Sequence, residues 1–193
     1  MKRSETTKFL SSLLEKSCFS GPGKYWAREV SLDYGYAAGK PRRIDYMQFI
    51  PKNQCSISAI EKGIFTCYEI KSCKEDIYSG NGLNFIGEKN YLVTTMECYK
   101  EILPDLKNGK FAKHIRENFP ECYAEIGNMG VMVAVPYQRE AAEEFESPTP
   151  LDGDVEKWKL SVVLKCGHNG SRKRSMTELL FCMVRSGHRE RIG

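Results

Sequence analysis

The pattern of apolar and polar side chains is most informative in residues 63–73, GIFTCYEIKSC. Successive side chains of a β-strand point to opposite faces, so a strand here places Phe65, Cys67, Glu69 and Lys71 on one face. Glu69 and Lys71 then stand side by side, about 6.6 Å apart along the chain, in an otherwise apolar and aromatic strand. Burying two such charges is costly. The pattern therefore predicts a strand that carries a functional site.

Five other stretches have the alternation or the composition of β-strands. They are Tyr25 to Tyr34, Arg43 to Ile50, Tyr91 to Thr95, Met129 to Pro136 and Trp158 to Leu164. In the first, Val30 and Leu32 face one side, and Glu29 and Asp33 face the other. The fourth is almost wholly apolar, which is typical of a central strand buried on both faces.

Four segments have apolar side chains at helical spacing. These side chains are, in chain order, Phe9, Leu10, Leu13 and Leu14; those between Glu97 and Leu103; Phe111, Ile115 and Phe119; and Met176, Leu179, Leu180, Met183 and Val184. Thr6 or Thr7 can cap the first helix, and Pro104 is expected to end the second because proline does not fit a helix interior. Ser175 and Glu178 form a capping-box pattern at the start of the fourth.

Three segments are predicted to be mainly irregular. Residues 51–63 are expected to form a loop with a short helical turn at 57–60. Residues 74–90, KEDIYSGNGLNFIGEKN, are rich in Gly and Asn and look too polar for the core, so we expect a crossover loop with a short helix. Residues 139–156 contain seven acidic residues against one basic residue, and two prolines, which predicts a solvated linker or loop.

The order of predicted elements is helix, three strands, a crossover, a strand, helices and a strand. This order predicts an α/β fold in which a mixed sheet is flanked by helices. A chain of 193 residues that is 41% hydrophobic is long enough for one well-filled core. We expect residues 1–136 to form this core. Residues 137–193 are expected to form an acidic linker and a basic C-terminal strand–helix extension, packed on the core as one domain.

Charge and hydropathy narrow the class of protein. The formal net charge of +4 is mild and does not by itself indicate a nucleic-acid partner. No run of 18 apolar residues is present, so no membrane span is expected. The N-terminal segment MKRSETTKFLSSLLEKS is basic, but Ser, Glu and Lys interrupt its apolar residues, so it is a poor signal peptide. These features predict a cytoplasmic protein.

The eight cysteines are expected to be reduced and mostly structural. None forms a CxxC pair, and several lie in apolar stretches, where a free cysteine behaves as a small hydrophobic residue. The nearest approach to metal-ligand spacing is Cys166, His168, Cys182 and His188. This set defines an alternative, a small zinc-bearing regulatory protein. The alternative is less favoured because structural zinc sites have more tightly paired ligands.

Candidate chemistry arises where the second and third strands pair. Asp45 on the second strand and Glu69 and Lys71 on the third become neighbours if the two strands form a hairpin. Two carboxylates converging at one place suit Mg²⁺, which binds through one or two carboxylates and keeps several waters. Such an ion can activate water and stabilise charge on a phosphate, and Lys71 can orient that water or stabilise the developing charge.

The residues RRIDYMQF…FTCYEIKSCKEDI…KNYLVTT…GVMVAVP resemble the PD-(D/E)xK nuclease superfamily, which has the restriction-endonuclease-like fold. Within it they are similar to MmcB-like DNA-repair nucleases and to phage proteins, over roughly residues 25 to 136. The resemblance implies an Mg²⁺- or Mn²⁺-dependent DNA nuclease in repair, recombination or mobile-element biology. It also implies that Asp45, Glu69 and the Ile70 carbonyl bind the metal and that Lys71 is the catalytic lysine.

The sequence departs from the family pattern at one position, and it does not decide which residue supplies an additional acidic group. Ile44 stands where the family has the proline before the aspartate, a change that many members tolerate. Members of the family often add an acidic residue from the first helix or the strand after it. Glu29 and Glu15 compete for that role, and Glu29 is favoured. Asp76, five residues after Lys71, either orients the crossover or touches the site.

DNA is the expected partner, with Arg172, Lys173 and Arg174 as candidate phosphate contacts at the start of a helix. Lys74 is a further candidate. Nucleases of this fold often cut both strands as dimers, so a homodimer is one alternative, although no surface indicates an interface. The same fold could also serve as a catalytically silent nucleic-acid-binding module, for example if residues 51–63 or 72–89 cover the site.

Overall fold

The computed structural model describes residues 1–33, 42–53, 56–120, 128–167 and 170–189, the last two of these by their backbone alone. The six strands are β1 Tyr25–Ser31, β2 Arg43–Ile50, β3 Ile64–Ile70, β4 Lys89–Thr94, β5 Gly130–Pro136 and β6 Trp158–Leu164. The helices are α1 Arg3–Leu14, α2 Ile57–Glu61, α3 Lys74–Ile77, α4 Met96–Lys107, α5 Lys110–Asn118, α6 Ala141–Glu146 and α7 Met176–Arg189. A π-helical turn, Glu15–Phe19, continues α1, and a 3₁₀ turn, Val155–Lys157, precedes β6.

The strands form one sheet in chain order, β1-β2-β3-β4-β5-β6. The first three strands pair antiparallel, β3, β4 and β5 pair parallel, and β6 returns antiparallel to β5. The parallel pairs need crossovers. The crossover from β3 to β4 contains α3, and the one from β4 to β5 contains α4 and α5. The prediction of an α/β fold with a mixed sheet flanked by helices and a C-terminal strand–helix extension is confirmed.

Each face of the sheet covers a separate hydrophobic cluster. One cluster contains Phe65 and Cys67 of β3 together with apolar side chains of α4, α5 and α7. The other contains Tyr68 and Ile70 of β3 together with the apolar stripe of α1. The alternation predicted for residues 63–73 is therefore confirmed, and Glu69 belongs to the face of Phe65 and Cys67.

The helix around Pro104 was predicted wrongly. We expected it to end before this residue, but α4 continues to Lys107 with Pro104 inside it. Pro104 is exposed, so water can replace the hydrogen bond that its missing N–H would have made. Behind it, Ile102 and Asp105 are buried, which anchors the helix on both sides of the proline.

Two segments predicted to be irregular are more ordered than expected. Residues 74–90 were judged too polar for the core, yet Leu83, Phe85 and Ile86 within them are fully buried. Residues 139–156 were predicted to be a linker or loop, but they include the helix α6. A capping box at Glu140 and Glu143 starts α6, and the strongly acidic composition concealed this signal.

Smaller corrections concern the first and last helices. The first helix begins at Arg3 rather than after Thr6 or Thr7, and Glu5 in its first turn accepts a hydrogen bond from the backbone amide of Lys2. In α7, Leu179 and Met183 are buried as predicted, whereas Val184 is exposed. Tyr34, the predicted end of the first strand, lies outside the described residues. No helix in the described part of the chain has the length and hydropathy needed to cross a membrane.

Candidate functional site

The strand register brings Asp45 and Glu69 together. The β2–β3 ladder pairs Tyr46 with Tyr68, so the next position in the same register sets Asp45 opposite Glu69. Here the Asp45 side chain takes the place of a backbone hydrogen bond between the two strands. Its Oδ2 accepts a hydrogen bond of 2.8 Å from the amide of Ile70. The Ile70 peptide therefore lies beside the Asp45 carboxylate. Its carbonyl as a metal ligand stays a prediction.

Glu69 is completely buried, and its carboxylate is only partly satisfied. Its side chain is 0% exposed. Oε1 accepts a hydrogen bond of 2.9 Å from the amide of Asn84, whereas Oε2 is buried with no hydrogen-bond partner among the described residues. A buried carboxylate oxygen without a donor is costly. This oxygen is therefore placed to bind a cation or a proton.

The pKa values of both carboxylates are raised. Burial and then the Asp45 carboxylate raise the pKa of Glu69 well above its ordinary value, and the opposing effect of the Lys71 ammonium is smaller. Burial also raises the pKa of Asp45, against its hydrogen bond from Ile70 and the charge of Lys71. A bound divalent cation would reverse this effect by favouring both ionised forms.

Lys71 follows β3 directly and extends its alternation, because its amide donates to the carbonyl of Val93 on β4. The side chain points to the same face as Glu69 and is only 5% exposed. Its ammonium donates a hydrogen bond of 2.6 Å to the Asn81 carbonyl. It also lies 3.9 Å from Asp76 Oδ1. The predicted group of Asp45, Glu69 and Lys71 is thus brought together at the end of β3.

The segment Ser79–Gly87 closes over this group. Gly82 adopts a positive φ of 75°, and a Cβ there would lie 2.8 Å from Lys71 Nζ and 3.1 Å from Glu69 Oε2. Only glycine allows so close an approach of the backbone without strain. Leu83 also has a positive φ, of 68°, which is uncommon outside glycine. Two successive residues in this conformation turn backbone N–H groups towards an anion, and the amides of Leu83 and Asn84 both lower the pKa of Glu69.

Asp76 touches the site and also anchors the segment after β3. It lies near the Lys71 ammonium and accepts hydrogen bonds from the amide and hydroxyl of Ser72. Its other strong partner is the guanidinium of Arg3 at the start of α1. The sequence left two roles open for Asp76, and its contacts fit both: it lies at the site, and it holds the start of the crossover.

The two candidates for an additional acidic residue differ in their position relative to the group. Glu29 lies in β1, where the register with β2 sets it opposite Asp45. Its side chain is exposed and pairs with Arg43 at 2.6 Å, and its backbone has a positive φ of 53°. Glu15 accepts a hydrogen bond from the hydroxyl of Tyr46, which belongs to the opposite face of the sheet from Glu69. Glu15 is therefore remote from the site. A catalytic role of Glu29 stays a prediction.

The predicted phosphate contacts mostly have acidic partners in this structure. Lys74 pairs with Asp105 at 2.9 Å, Arg172 with Glu88 at 3.3 Å, and Arg174 with Asp33 at 3.0 Å. The amide of Lys173 donates to the carbonyl of Ile86. These contacts fasten residues 172–174 to the core and to the segment over the site. Their binding of DNA stays a prediction.

The described residues contain no cluster of three or more His, Cys, Asp or Glu side chains able to hold a metal. Cys166 and Cys182 are buried, while His168 and the His188 side chain lie outside the described residues. The site at Asp45 and Glu69 has two carboxylates, which fits Mg²⁺ or Mn²⁺ with several waters rather than zinc. The unpartnered Oε2 of Glu69 is the observation that fits such an ion.

The sequence predicted a cover over the site only in the alternative of a catalytically silent module, through residues 51–63 or 72–89. It did not predict which residues of the second segment approach Glu69 and Lys71, and these include Gly82 and Asn84. The sequence Gly80-Asn81-Gly82 was the available signal, because closely spaced glycines indicate positive φ angles. Which side chains such a turn would approach does not follow from the sequence.

Comparisons with protein-family models, with curated proteins and with solved structures gave no match to this chain.

Proposed function

We propose that this chain is a metal-dependent nuclease that hydrolyses phosphodiester bonds of DNA. The observation that carries the proposal is a fully buried glutamate with one unpartnered oxygen, Glu69, placed beside Asp45 and Lys71 at the end of β3. Structural carboxylates in a core have their oxygens satisfied. The resemblance of residues 25 to 136 to PD-(D/E)xK nucleases supports the choice of DNA as the substrate.

In the proposed site, Asp45 and Glu69 would hold a divalent cation. When bound there, such an ion would provide an activated water and stabilise charge on the scissile phosphate. Glu69 is held for this role by the amide of Asn84, and Asp45 by the amide of Ile70. Lys71, once it leaves the Asn81 carbonyl, orients the attacking water or stabilises the charge on the phosphate oxygens.

The test is cleavage of plasmid, single-stranded and branched DNA in the presence of Mg²⁺ or Mn²⁺. We expect wild-type protein to cut at least one of these substrates, and Glu69→Gln and Lys71→Met to lower the rate on the order of 100-fold or more. Lys16→Met is the matched control, because it removes the same charge from a lysine that pairs with Glu156 far from the site. Cleavage that survives both site substitutions would contradict the assigned roles.

A catalytically silent nucleic-acid-binding module is the second candidate. It is favoured by the short contact of Lys71 with the Asn81 carbonyl and by the backbone of Gly82 over Glu69. These contacts occupy the groups that a nuclease would use. Salt-dependent DNA binding without cleavage under any divalent cation would favour this second function over the first.

A further inference from the structure

Asn84 joins the two strands that carry the candidate metal ligands. Its amide donates a hydrogen bond of 2.9 Å to Glu69 Oε1 on β3. Its side-chain Nδ2 donates a hydrogen bond, also 2.9 Å, to the carbonyl of Arg43 on β2. Arg43 lies two residues before Asp45. One residue thus spans the gap at which β2 and β3 separate.

The surroundings of Asn84 make this link rigid. The residue is 3% exposed, so water competes little for its hydrogen bonds. It follows Gly82 and Leu83, whose positive φ angles aim the chain at Glu69. Its Oδ1 is buried without a hydrogen-bond partner among the described residues, as is Glu69 Oε2. Two hydrogen-bonded residues therefore each carry an unsatisfied oxygen at this place.

We infer that Asn84 is a positioning residue of the proposed metal site. The side-chain bond to the Arg43 carbonyl fixes the amide that holds Glu69 Oε1, so Glu69 keeps Oε2 directed towards the cation. The same bond holds the start of β2, and with it Asp45, at a set separation from Glu69. This role rests on the proposed function, because it concerns the cation that Asp45 and Glu69 would share. Partners of metal ligands commonly change metal affinity about 10- to 100-fold when they are removed.

Asn90, in β4 just after the segment over the site, provides a matched control. It is 0% exposed. Among the described residues its side chain bonds only to the backbone of Gly87: Nδ2 donates to the carbonyl at 2.8 Å, and Oδ1 accepts from the amide at 3.1 Å. Asn90→Ala and Asn84→Ala both remove a buried side-chain amide. The amide of Asn90 makes two hydrogen bonds, and that of Asn84 makes one. The control therefore costs stability without touching Glu69 or the Arg43 carbonyl.

The experiment is titration of the full chain with Mn²⁺ by calorimetry, together with urea unfolding of each variant without metal. We expect wild-type protein to bind Mn²⁺, Glu69→Gln to lose binding, and Asn84→Ala to bind about 10-fold or more weakly. Asn90→Ala should bind within about twofold of wild type at a comparable loss of stability. If Asn84→Ala does not fold, Asn84→Ser serves instead, since its hydroxyl is too short to reach the Arg43 carbonyl.

The outcomes separate the two proposals. Wild-type binding that depends on Glu69 but is unchanged in the Asn84 variant overturns the positioning role and leaves the metal site standing. Equal losses of affinity in the Asn84 and Asn90 variants also overturn it, because they would reflect general destabilisation. Absence of Mn²⁺ binding by wild-type protein, or binding that Glu69→Gln retains, overturns the proposed function and the role of Asn84 with it.

Discussion

Two glutamates of this protein are equally buried but differ in how their charge is met. Glu69 at the end of β3 and Glu144 in α6 are both 0% exposed. Both oxygens of Glu144 have partners: Arg139 and the Thr149 hydroxyl donate to Oε2, and the Thr149 amide donates to Oε1. Glu69 has one oxygen without a donor and a second carboxylate as its neighbour.

The difference lies in how completely the fold compensates a buried carboxylate. Burial alone does not separate the two residues. What separates them is whether each oxygen has a hydrogen-bond donor and whether the neighbouring charges are favourable on balance. At Glu144 the ion pair with Arg139 closes the turn between α6 and residues 147–149, so the charge stabilises the fold. At Glu69 the fold leaves a deficit that a metal ion could fill.

The largest expected effect on stability is at the satisfied glutamate. Glu144→Ala removes the carboxylate partner of Arg139 and leaves the Thr149 amide without its acceptor, which should lower the free energy of unfolding by about 3 kcal/mol. Glu146→Ala, at an exposed position of the same helix, is the control and should change it by less than about 0.5 kcal/mol. Chemical denaturation measures both. A small effect at Glu144 would show that its ion pair does not stabilise the fold.

The opposite sign is expected at Glu69. Without metal, Glu69→Gln should raise the free energy of unfolding at pH 8 by about 2–3 kcal/mol, because it removes a charge whose burial and proximity to Asp45 outweigh the attraction of Lys71. The pKa of Glu69 is raised in the folded state. The folded protein therefore holds its proton more tightly than the unfolded chain, and wild-type stability is greatest below the ordinary glutamate pKa and falls as pH rises through the raised value.

The pH dependence of the stability difference between Glu69→Gln and wild type tests this prediction. We expect the gain from Glu69→Gln to be close to zero near pH 4 and to grow with pH, as measured by urea unfolding in the presence of a chelator. Asp45 contributes in the same direction, because its pKa is also raised. A Glu69→Gln variant that is less stable than wild type at pH 8, as expected for Glu144→Gln, would remove the distinction between the two glutamates.

A smaller effect is expected at the glycine above the site. Gly82→Ala forces alanine into a positive φ and should lower the free energy of unfolding by about 1–2 kcal/mol. Gly80→Ala is the matched control, because Gly80 has nearly the same φ but nothing within 4 Å of an added Cβ. Gly82→Ala should lose the more stability of the two, because its Cβ also crowds Lys71 Nζ and Glu69 Oε2, and only Gly82→Ala should weaken Mn²⁺ binding. Equal Mn²⁺ affinity in the two variants would show that the close approach of Gly82 to Glu69 and Lys71 does not matter for metal binding.

The sequence predicted the sheet well, for a physical reason. Strand patterns such as residues 63–73 and 43–50 depend on burial of alternate side chains, which the order of residues encodes directly. It also predicted that Asp45 and Glu69 would be neighbours, since a hairpin of consecutive strands sets their register. Residue types along two strands were enough for this part of the site.

The segment over the site could not be predicted in the same way. Asn84 is buried because Glu69 and the Arg43 carbonyl, 15 and 41 residues away in the chain, accept its hydrogen bonds. Such long-range partners leave no local pattern, so a polar stretch looks like a surface loop. Residues 172–174 also have partners that no local pattern reveals, since Glu88 and Asp33 lie against Arg172 and Arg174. Their binding of DNA stays a prediction.

The central claim is that Asp45 and Glu69 share one divalent cation. The most direct measurement is a crystal structure of the protein soaked with Mn²⁺, with the ion located by its anomalous scattering. The account predicts one peak that contacts both carboxylates and occupies the unpartnered side of Glu69 Oε2. A well-soaked crystal with no peak between these two residues, or with Mn²⁺ bound only elsewhere, would contradict it.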